Sequence, residues 1–516
     1  EVLAHHYVTG MELAKAAGQD DLAAELRRPA LDALRVAGQR ALSLDIASAG
    51  TYISRALELA GPADALRPRL LFLQAEVLSS RSQLREAIVC LEEAIPAARA
   101  SGDVRLAATA MALLGRVHDD VGAGGGDRLL DDAVKMLEAE DGPSRELLQL
   151  LAELITGAVW GDQPAGPEEG LRLSERAAAV SRELGIPLPP EVLGSHASLL
   201  ADIGAPGWEE EFARAIEAAS RLGLARSLWA MLHNRGESVL AQRGPADAWA
   251  AVGELREFVE RVGAEVWQTD YRGMSALVGA LLGRWDDALA DARANRVWAA
   301  GQDEALYYIQ DGSLEVVLLS FLGQMRGLGE LADEVDAAAR DSGFQYVQLY
   351  GRLSCVVARG ALGRSEIALS AVREWCARQV RVYGDGRNAV IFPEVMRVCA
   401  AAGDVHLVDE LAATLEPAPT CNRLVLAIAA ALTGEGAGEF AAAAAGFADA
   451  AQAWREFGVP YEEAHALLGQ GRCLVALDKA PEAAAPLAAA REIFARLGAK
   501  PALAETDALM HQVASA

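Results

Sequence analysis

The sequence predicts an all-helical protein built as a repeat array. Three observations carry this: a helix-forming composition, turn glycines that recur at an even interval, and apolar stripes of helical period. Apolar residues make up 52% of the 516-residue chain but aromatics only 5%, so the apolar weight is mostly Ala, Leu and Val. Ala and Leu are strong helix formers, and Ala lets helices approach closely. A chain of this length is too long for one compact core and suits several domains or one long array.

The turns set the beat. Leu282-Gly283-Arg284, Leu322-Gly323-Gln324 and Leu362-Gly363-Arg364 are alike, and the steps between their glycines (323 − 283 and 363 − 323) are both 40. Gly403 follows at the same step, and Gly244 and Gly204 precede at 39 and 40 (283 − 244, 244 − 204). Weaker turns fall at Gly161 and Gly122, and near Ser80 to Ser82 the unit survives without its Gly. After Gly403 the beat loosens, with turns expected near Gly434 and Asp478. Gly suits such places because a helix C-terminus commonly needs one residue at positive φ.

Each unit reads as helix, Gly turn, helix. Second helices open with acid, as in Trp285-Asp286-Asp287-Ala288-Leu289 and Leu84-Arg85-Glu86-Ala87-Ile88, which suits the helix dipole. Ala288 and Ala368 stand at a fixed offset after their turn Gly (288 − 283, 368 − 363), where a small side chain lets the second helix pack on the first. Ile88, Leu91, Ile95 and Ala98 show the apolar stripe. The run Leu314 to Leu319 has strand-like residues, but its place ahead of Gly323 makes it a first helix. A lone helix pair cannot bury its stripe, so pairs stack into a solenoid with a concave face. Pro clusters at Gly161 to Pro167, Ile186 to Pro190 and Glu416 to Thr420 mark joints.

The A-L-x-G-R turn and the E/D-A-L opening of the second helix resemble tetratricopeptide repeats. The period is longer than the family's usual ~34 residues. It resembles the variant in large bacterial signalling ATPases, where a switch domain carries a long helical sensor arm. Trp454-Arg455-Glu456-Phe457-Gly458-Val459-Pro460-Tyr461-Glu462-Glu463-Ala464, followed by the segment Ala489 to Ala499, is similar to the end of such arms. These occur in adenylate/guanylate-cyclase-linked ATPases and in maltose-activator and LuxR-type regulators. Leu3-Ala4-His5-His6-Tyr7 resembles the helix that follows their ATPase module.

The resemblance implies a tetratricopeptide-like α-solenoid wound as a right-handed superhelix. Residues 1–60 are expected to adjoin an upstream ATPase module, 61–416 to form the central solenoid, and 417–516 to form C-terminal repeats. It implies a non-catalytic, cytoplasmic arm that binds a protein or small-molecule inducer and regulates an N-terminal cyclase or ATPase switch. Two rivals are a free-standing scaffold joining two partners and the sensor arm of an ATP-dependent transcriptional regulator. The chain ends at Ala516 without the helix-turn-helix that LuxR-type regulators carry after their arm. The opening at Glu1, within a helix and without Met, is that expected of a piece of a longer chain.

Several chemistries are disfavoured. A net charge of −26 repels phosphate, against unspecific nucleic-acid binding. No apolar run is long enough to read as a membrane span. A P-loop needs Gly-Lys, and none of Lys15, Lys135, Lys479 and Lys500 follows a Gly. Gly327-Leu328-Gly329-Glu330-Leu331-Ala332 matches a loose dinucleotide fingerprint but sits at a helix–helix turn rather than after a strand. Gly122 to Asp127 and Gly434 to Gly438 read as turn loops. Neither the His5-His6 pair nor the six scattered cysteines has metal-ligand spacing, so no metal and no cofactor is expected. The cysteines read as buried thiols.

One pattern points to a binding surface. Aromatics concentrate in first helices of the central units: Trp229, Trp267, Tyr271, Tyr307, Tyr308, Tyr346 and Tyr350. Trp267 and Tyr307 stand at the same offset before their turn glycines, Gly283 and Gly323 (283 − 267, 323 − 307). With Arg235, Arg272 and Arg352 these aromatics form a candidate concave-face site, since Trp, Tyr and Arg are typical interface anchors. The competing reading is that the aromatics fill gaps between helices.

Overall fold

The computed structural model describes residues 2–42, 45–81, 83–120, 125–140, 142–159, 166–302, 304–342 and 345–515. The turns expected at Ser82, Gly122 and Gly161, and the loop from Gly122 to Gly124, lie outside these residues. The described residues contain helices and one isolated parallel bridge, Val382 with Leu415, and no strand. The described residues form an all-α array of stacked helix pairs.

Contacts divide it into two units, residues 1–155 with 173–188, and residues 156–172 with 189–516. The first unit holds α1 (Val2–Ala16), α2 (Asp20–Ala41), α3 (Ile46–Leu59), α4 (Arg67–Ser80), α5 (Leu84–Ala100), α6 (Val104–Asp120) and α7 (Gly126–Glu138). It also takes most of α8 (Arg145–Val159) and of α9 (Gly166–Leu184). Consecutive helices pack in antiparallel pairs around small residues. Gly38 on α2 lies so close to α3 that a Cβ there would meet Ile53 Cγ1 at 2.6 Å. Leu31, Leu34, Ala56 and Leu70 form one core of this unit, and Leu91, Leu113 and Val117 part of another. His5 and His6 are exposed on α1.

The second unit holds the regular repeats. First helices are α10 (Pro190–Asp202), α12 (Ala225–Arg243), α14 (Glu265–Leu281), α16 (Ala305–Phe321), α18 (Gln345–Ala361), α20 (Asn388–Ala401), α22 (Thr420–Gly436) and α24 (Pro460–Ala476). Second helices are α11 (Trp208–Leu222), α13 (Pro245–Val262), α15 (Trp285–Gln302), α17 (Leu328–Asp341), α19 (Ser365–Cys376), α21 (Val405–Ala412), α23 (Phe440–Phe457) and α25 (Ala480–Leu497). α26 (Lys500–Ser515) follows. Each first helix packs on its own second helix and on the next first helix, the pattern of a stacked array.

The turn glycines 204, 244, 283, 323, 363 and 403 all have positive φ. Leu314 to Leu319 lies in α16, and Gly327 caps α17 at a helix turn. Ala288 and Ala368 are buried as their spacing requires. One expectation is corrected: α22 continues through Gly434 to Gly436, and the turn falls at Gly438, φ 80°. The reason is packing. A Cβ on Gly436 would meet Val405 Cγ1 at 2.3 Å, so this glycine allows close approach of α22 to α21 rather than a turn. The joint at Glu416 to Thr420 leaves the bridged connector, where Val382 N donates to Thr414 O and Glu416 N to Val382 O.

The second unit also winds back on itself. A Cβ on Gly244 would meet Phe457 O at 2.2 Å, and one on Gly283 would meet Leu497 Cδ2 at 2.4 Å. Gly204 lies against Ala418 and Gly323 against Pro501 in the same way. The first three pairs share a near-constant offset along the sequence: 244 with 457, 283 with 497, 204 with 418. Gln242 Oε1 accepts from Thr420 N at 3.4 Å, and Tyr461 stacks on Phe321 at 4.1 Å between ring centroids. Early turns therefore form the floor on which the last repeats sit.

Candidate functional site

Winding encloses the inward faces of the first helices, and those faces are polar. On α12, His233 and Glu237 stand one helical turn apart and point to the same side. On α14, Asp270 is buried and accepts from Trp229 Nε1 at 3.0 Å and pairs with His233 Nδ1 at 2.9 Å. His233 Nε2 lies 3.7 Å from Glu237. Glu237 pairs with Arg387, just before α20, at 3.1 Å, and Arg387 pairs with Asp385 at 3.0 Å. Arg387 also donates to the Tyr346 hydroxyl, and Tyr350 donates to Asn388 Oδ1 at 2.9 Å. A continuous chain of charged and polar groups thus runs through the inside of the coil. Burying charge is costly without partners, and here most are paired.

The electrostatics follow from burial and pairing. Burial alone would lower His233, but Asp270, and then Glu237, outweigh it and lift the ring to about 9. It is an imidazolium at neutral pH. Asp311 on α16 is 3% exposed. Burial pushes it up to about 8 against the pull of Asn295 and Arg387. Its Oδ2 and Asn295 Oδ1 have no hydrogen-bond partner among the described residues. Asp202, at the end of α10, is raised well above the carboxylate range by burial, then by Asp385 and Glu237.

Three cavities open along this interior. One of about 110 Å³ is bordered by Asp202, Glu237, Asp385, Tyr346, Tyr350 and Trp375. One of about 30 Å³, room for a water or two, lies among His233, Asp270, Tyr307, Asp311 and Arg387. The third, about 550 Å³, is bordered by Arg397, Tyr461, His465 and Arg472. There Arg397 grips Glu462 with two bonds of 2.7 Å, and Arg472 grips Glu435 at 2.8 and 2.9 Å. The arrangement can bind and orient a guest. Among the described residues no group of three or more His, Cys, Asp or Glu is placed to hold a metal ion. No described helix is long and apolar enough to cross a membrane.

The aromatic and arginine residues selected from the sequence divide into groups. Tyr307, Tyr346 and Tyr350 border the cavities. Trp229 and Trp267 stack at 5.7 Å, with Phe258 behind Trp267 at 6.0 Å, and Trp229 reaches the polar chain through Asp270. Tyr271 is half-buried against the main core. Arg272 holds its own helix through Thr269 Oγ1 at 3.2 Å. Arg235 and Arg352 bind second helices, at Glu254 and Glu374, each at 2.6 Å. Residues not picked out from sequence are Asp202, His233, Glu237, Asp270, Asp311, Asp385 and Arg387. For those on helices a signal existed: Asp202, His233, Glu237, Asp270 and Asp311 recur inside otherwise apolar first helices, and such residues are rarely buried without cause, whereas Asp385 and Arg387 lie in the connector before α20.

No protein-family model matches the chain, and no curated protein matches it. Among solved structures, it is similar to a chain of the APC/C hetero-tetramer Cut9-Hcn1, with TM-score 0.48, 11% identity and coverage of 94% of this chain and 96% of that one. It is also similar to yeast Tom70, with TM-score 0.33, 13% identity and coverage of 93% and 96%. Both are tetratricopeptide-like helical-repeat proteins. Likeness at this level carries no functional argument. The repeat architecture rests on the helix pairs and their turns.

Proposed function

We propose that the chain is the non-catalytic sensor and interaction arm of a bacterial signal-transduction protein. It takes a small ligand inside the second unit and passes a change of winding to an N-terminal effector, a cyclase or ATPase switch. The observation that carries this reading is the polar interior. Where a purely structural coil would fill its inside with apolar side chains, this one places charged chains and cavities there. Binding sites of this kind are concave, with a few convergent polar groups. Contacts between early turns and late repeats supply the coupling: a guest that draws α12, α18 and α20 together must alter how the turns at Gly244 and Gly283 seat.

The test is thermal stability and small-angle scattering of residues 1–516 with size-fractionated cell extract. A ligand that binds only the folded state raises the melting temperature by mass action. A small-molecule fraction that stabilises the chain and changes its radius supports the reading. A protein fraction acting alone makes the array a docking surface instead. If the same fractions switch a longer protein but leave this chain unmoved, the sensor role is lost.

A further inference from the structure

We propose that the cavity beside Asp202 takes a small organic cation, a primary ammonium group, held by Asp202, Asp385 and Glu237 and walled by Tyr346, Tyr350 and Trp375. This rests on the reading above that the interior of the second unit is a ligand site. Size comes first. The cavity is about 110 Å³, and a cavity of ~150 Å³ holds benzene, so the enclosed part of the guest is a compact headgroup.

Charge comes second. Three carboxylates border this space, and two of them are already paired from behind, Glu237 with Arg387 and the His233 ring and Asp385 with Arg387, which leaves Asp202. Arg387 is already committed to Asp385, Glu237 and the Tyr346 hydroxyl. Arg381, on the rim, is largely exposed and pairs with Glu416. Among the described residues no cation pairs with Asp202, and its near neighbours are two further carboxylates. Half-buried beside two other carboxylates, such a group favours a proton or a cation. An ammonium supplies both the charge and the donors, and it replaces the proton.

The walls make a third, independent point. Tyr350 is 2% exposed and Trp375 1%. Arg387 already lies over the Tyr346 and Tyr350 rings and Arg378 over that of Trp375, so these walls favour cationic neighbours. Trp375 Nε1 is buried and has no acceptor among the described residues, so a guest carrying an oxygen beside its ammonium would satisfy it too. An anion is repelled here, and a neutral guest leaves Asp202 unmatched.

The experiment uses residues 1–516 with n-butylammonium chloride, 1-butanol and sodium chloride at equal concentration, read by melting temperature and calorimetry. The expected result is stabilisation by butylammonium alone, with Asp202→Asn weakening it about tenfold or more, the scale of a lost charged contact. In the wild type, binding weakens as pH falls and Asp202 takes up a proton. Equal stabilisation by 1-butanol overturns the proposal, as does full binding by Asp202→Asn. Should that variant not fold, wild-type binding that does not weaken on acidification overturns it. If the amine gives no effect while a small-molecule extract fraction stabilises the chain, the cation is refuted and the broader sensor reading survives. If neither acts, both fall.

Discussion

Replacing Asp311 with Asn should stabilise the second unit, and more so at higher pH. Asp311 is buried on α16, and its carboxyl stands at about 8 in the folded chain. An unfolded Asp titrates near ~3.9. The unfolded chain therefore releases this proton first. The carboxyl's contribution to stability is whole below about 4 and drains away as pH climbs to about 8. At pH 7 the gap is about 3 units, or ~4 kcal/mol at ~1.36 kcal/mol per unit, and relaxation of the site makes this a ceiling. Asn cannot ionise, so it escapes the loss. It also keeps an oxygen to accept from Asn295 Nδ2, which stands 3.4 Å from Asp311 Oδ1. His233, raised to about 9, loses its own contribution as pH rises through that value. It does so in both proteins, so their difference isolates Asp311. Urea unfolding followed by circular dichroism at pH 5, 6, 7 and 8.5 reads the effect. The midpoint difference should be least at pH 5, grow to pH 8 and then level off. A difference independent of pH, or a variant weaker than wild type at pH 8, would refute the reasoning.

Other changes have equally definite outcomes. Gly283→Ala places a side chain at φ 82° and 2.4 Å from Leu497 Cδ2, so it should cost about 1–3 kcal/mol, and Leu497→Ala should restore part of that in thermal unfolding. Glu462→Gln removes the buried partner of Arg397 and leaves it Glu394 alone, a loss of about 3–5 kcal/mol in denaturant titration. Burial pushes Cys355, Cys399, Cys421 and Cys473 up to about 12, so a thiol-specific disulfide reagent at pH 8 should label them only as the chain unfolds. Rapid labelling of Cys421 in the folded state would contradict its placement.

What could be read from sequence was what repeats locally. Gly283, Gly323 and Gly363 announced their turns because a helix end at positive φ demands them. Ala288 announced a close helix pair because its neighbours repeat at fixed spacing. Gly436 misled because a glycine needed for close approach looks like one needed for a turn. Tyr307 stood out with Trp267 by its offset from the turn, and Tyr346 and Tyr350 by the concentration of aromatics in first helices; the three tyrosines border cavities. The acid side of the interior was not found. Glu237 and Arg387 are far apart in the chain, and what brings them together is a small rotation added at every repeat. No single repeat encodes that sum. Arg235 and Arg352 lie within first helices and serve helix pairing, whereas Arg387 stands in the connector just before α20 and turns inward.

The contacts made by the turn glycines bear on the order in which the molecule can be built. In an open array each repeat needs only its neighbours, so folding can start anywhere and spread. Here Gly204, Gly244 and Gly283 have their partners at Ala418, Phe457 and Leu497. Contacts so distant along the chain slow folding, because a long loop must close before they are rewarded. During synthesis the early repeats emerge with their outer turns bare, and they stay so until residues 418–497 leave the ribosome. Until then the polar interior is open to water and its carboxylates carry their ordinary charge. Winding shut is a late and separate event, and the strongly shifted acids of the interior come into being only with it.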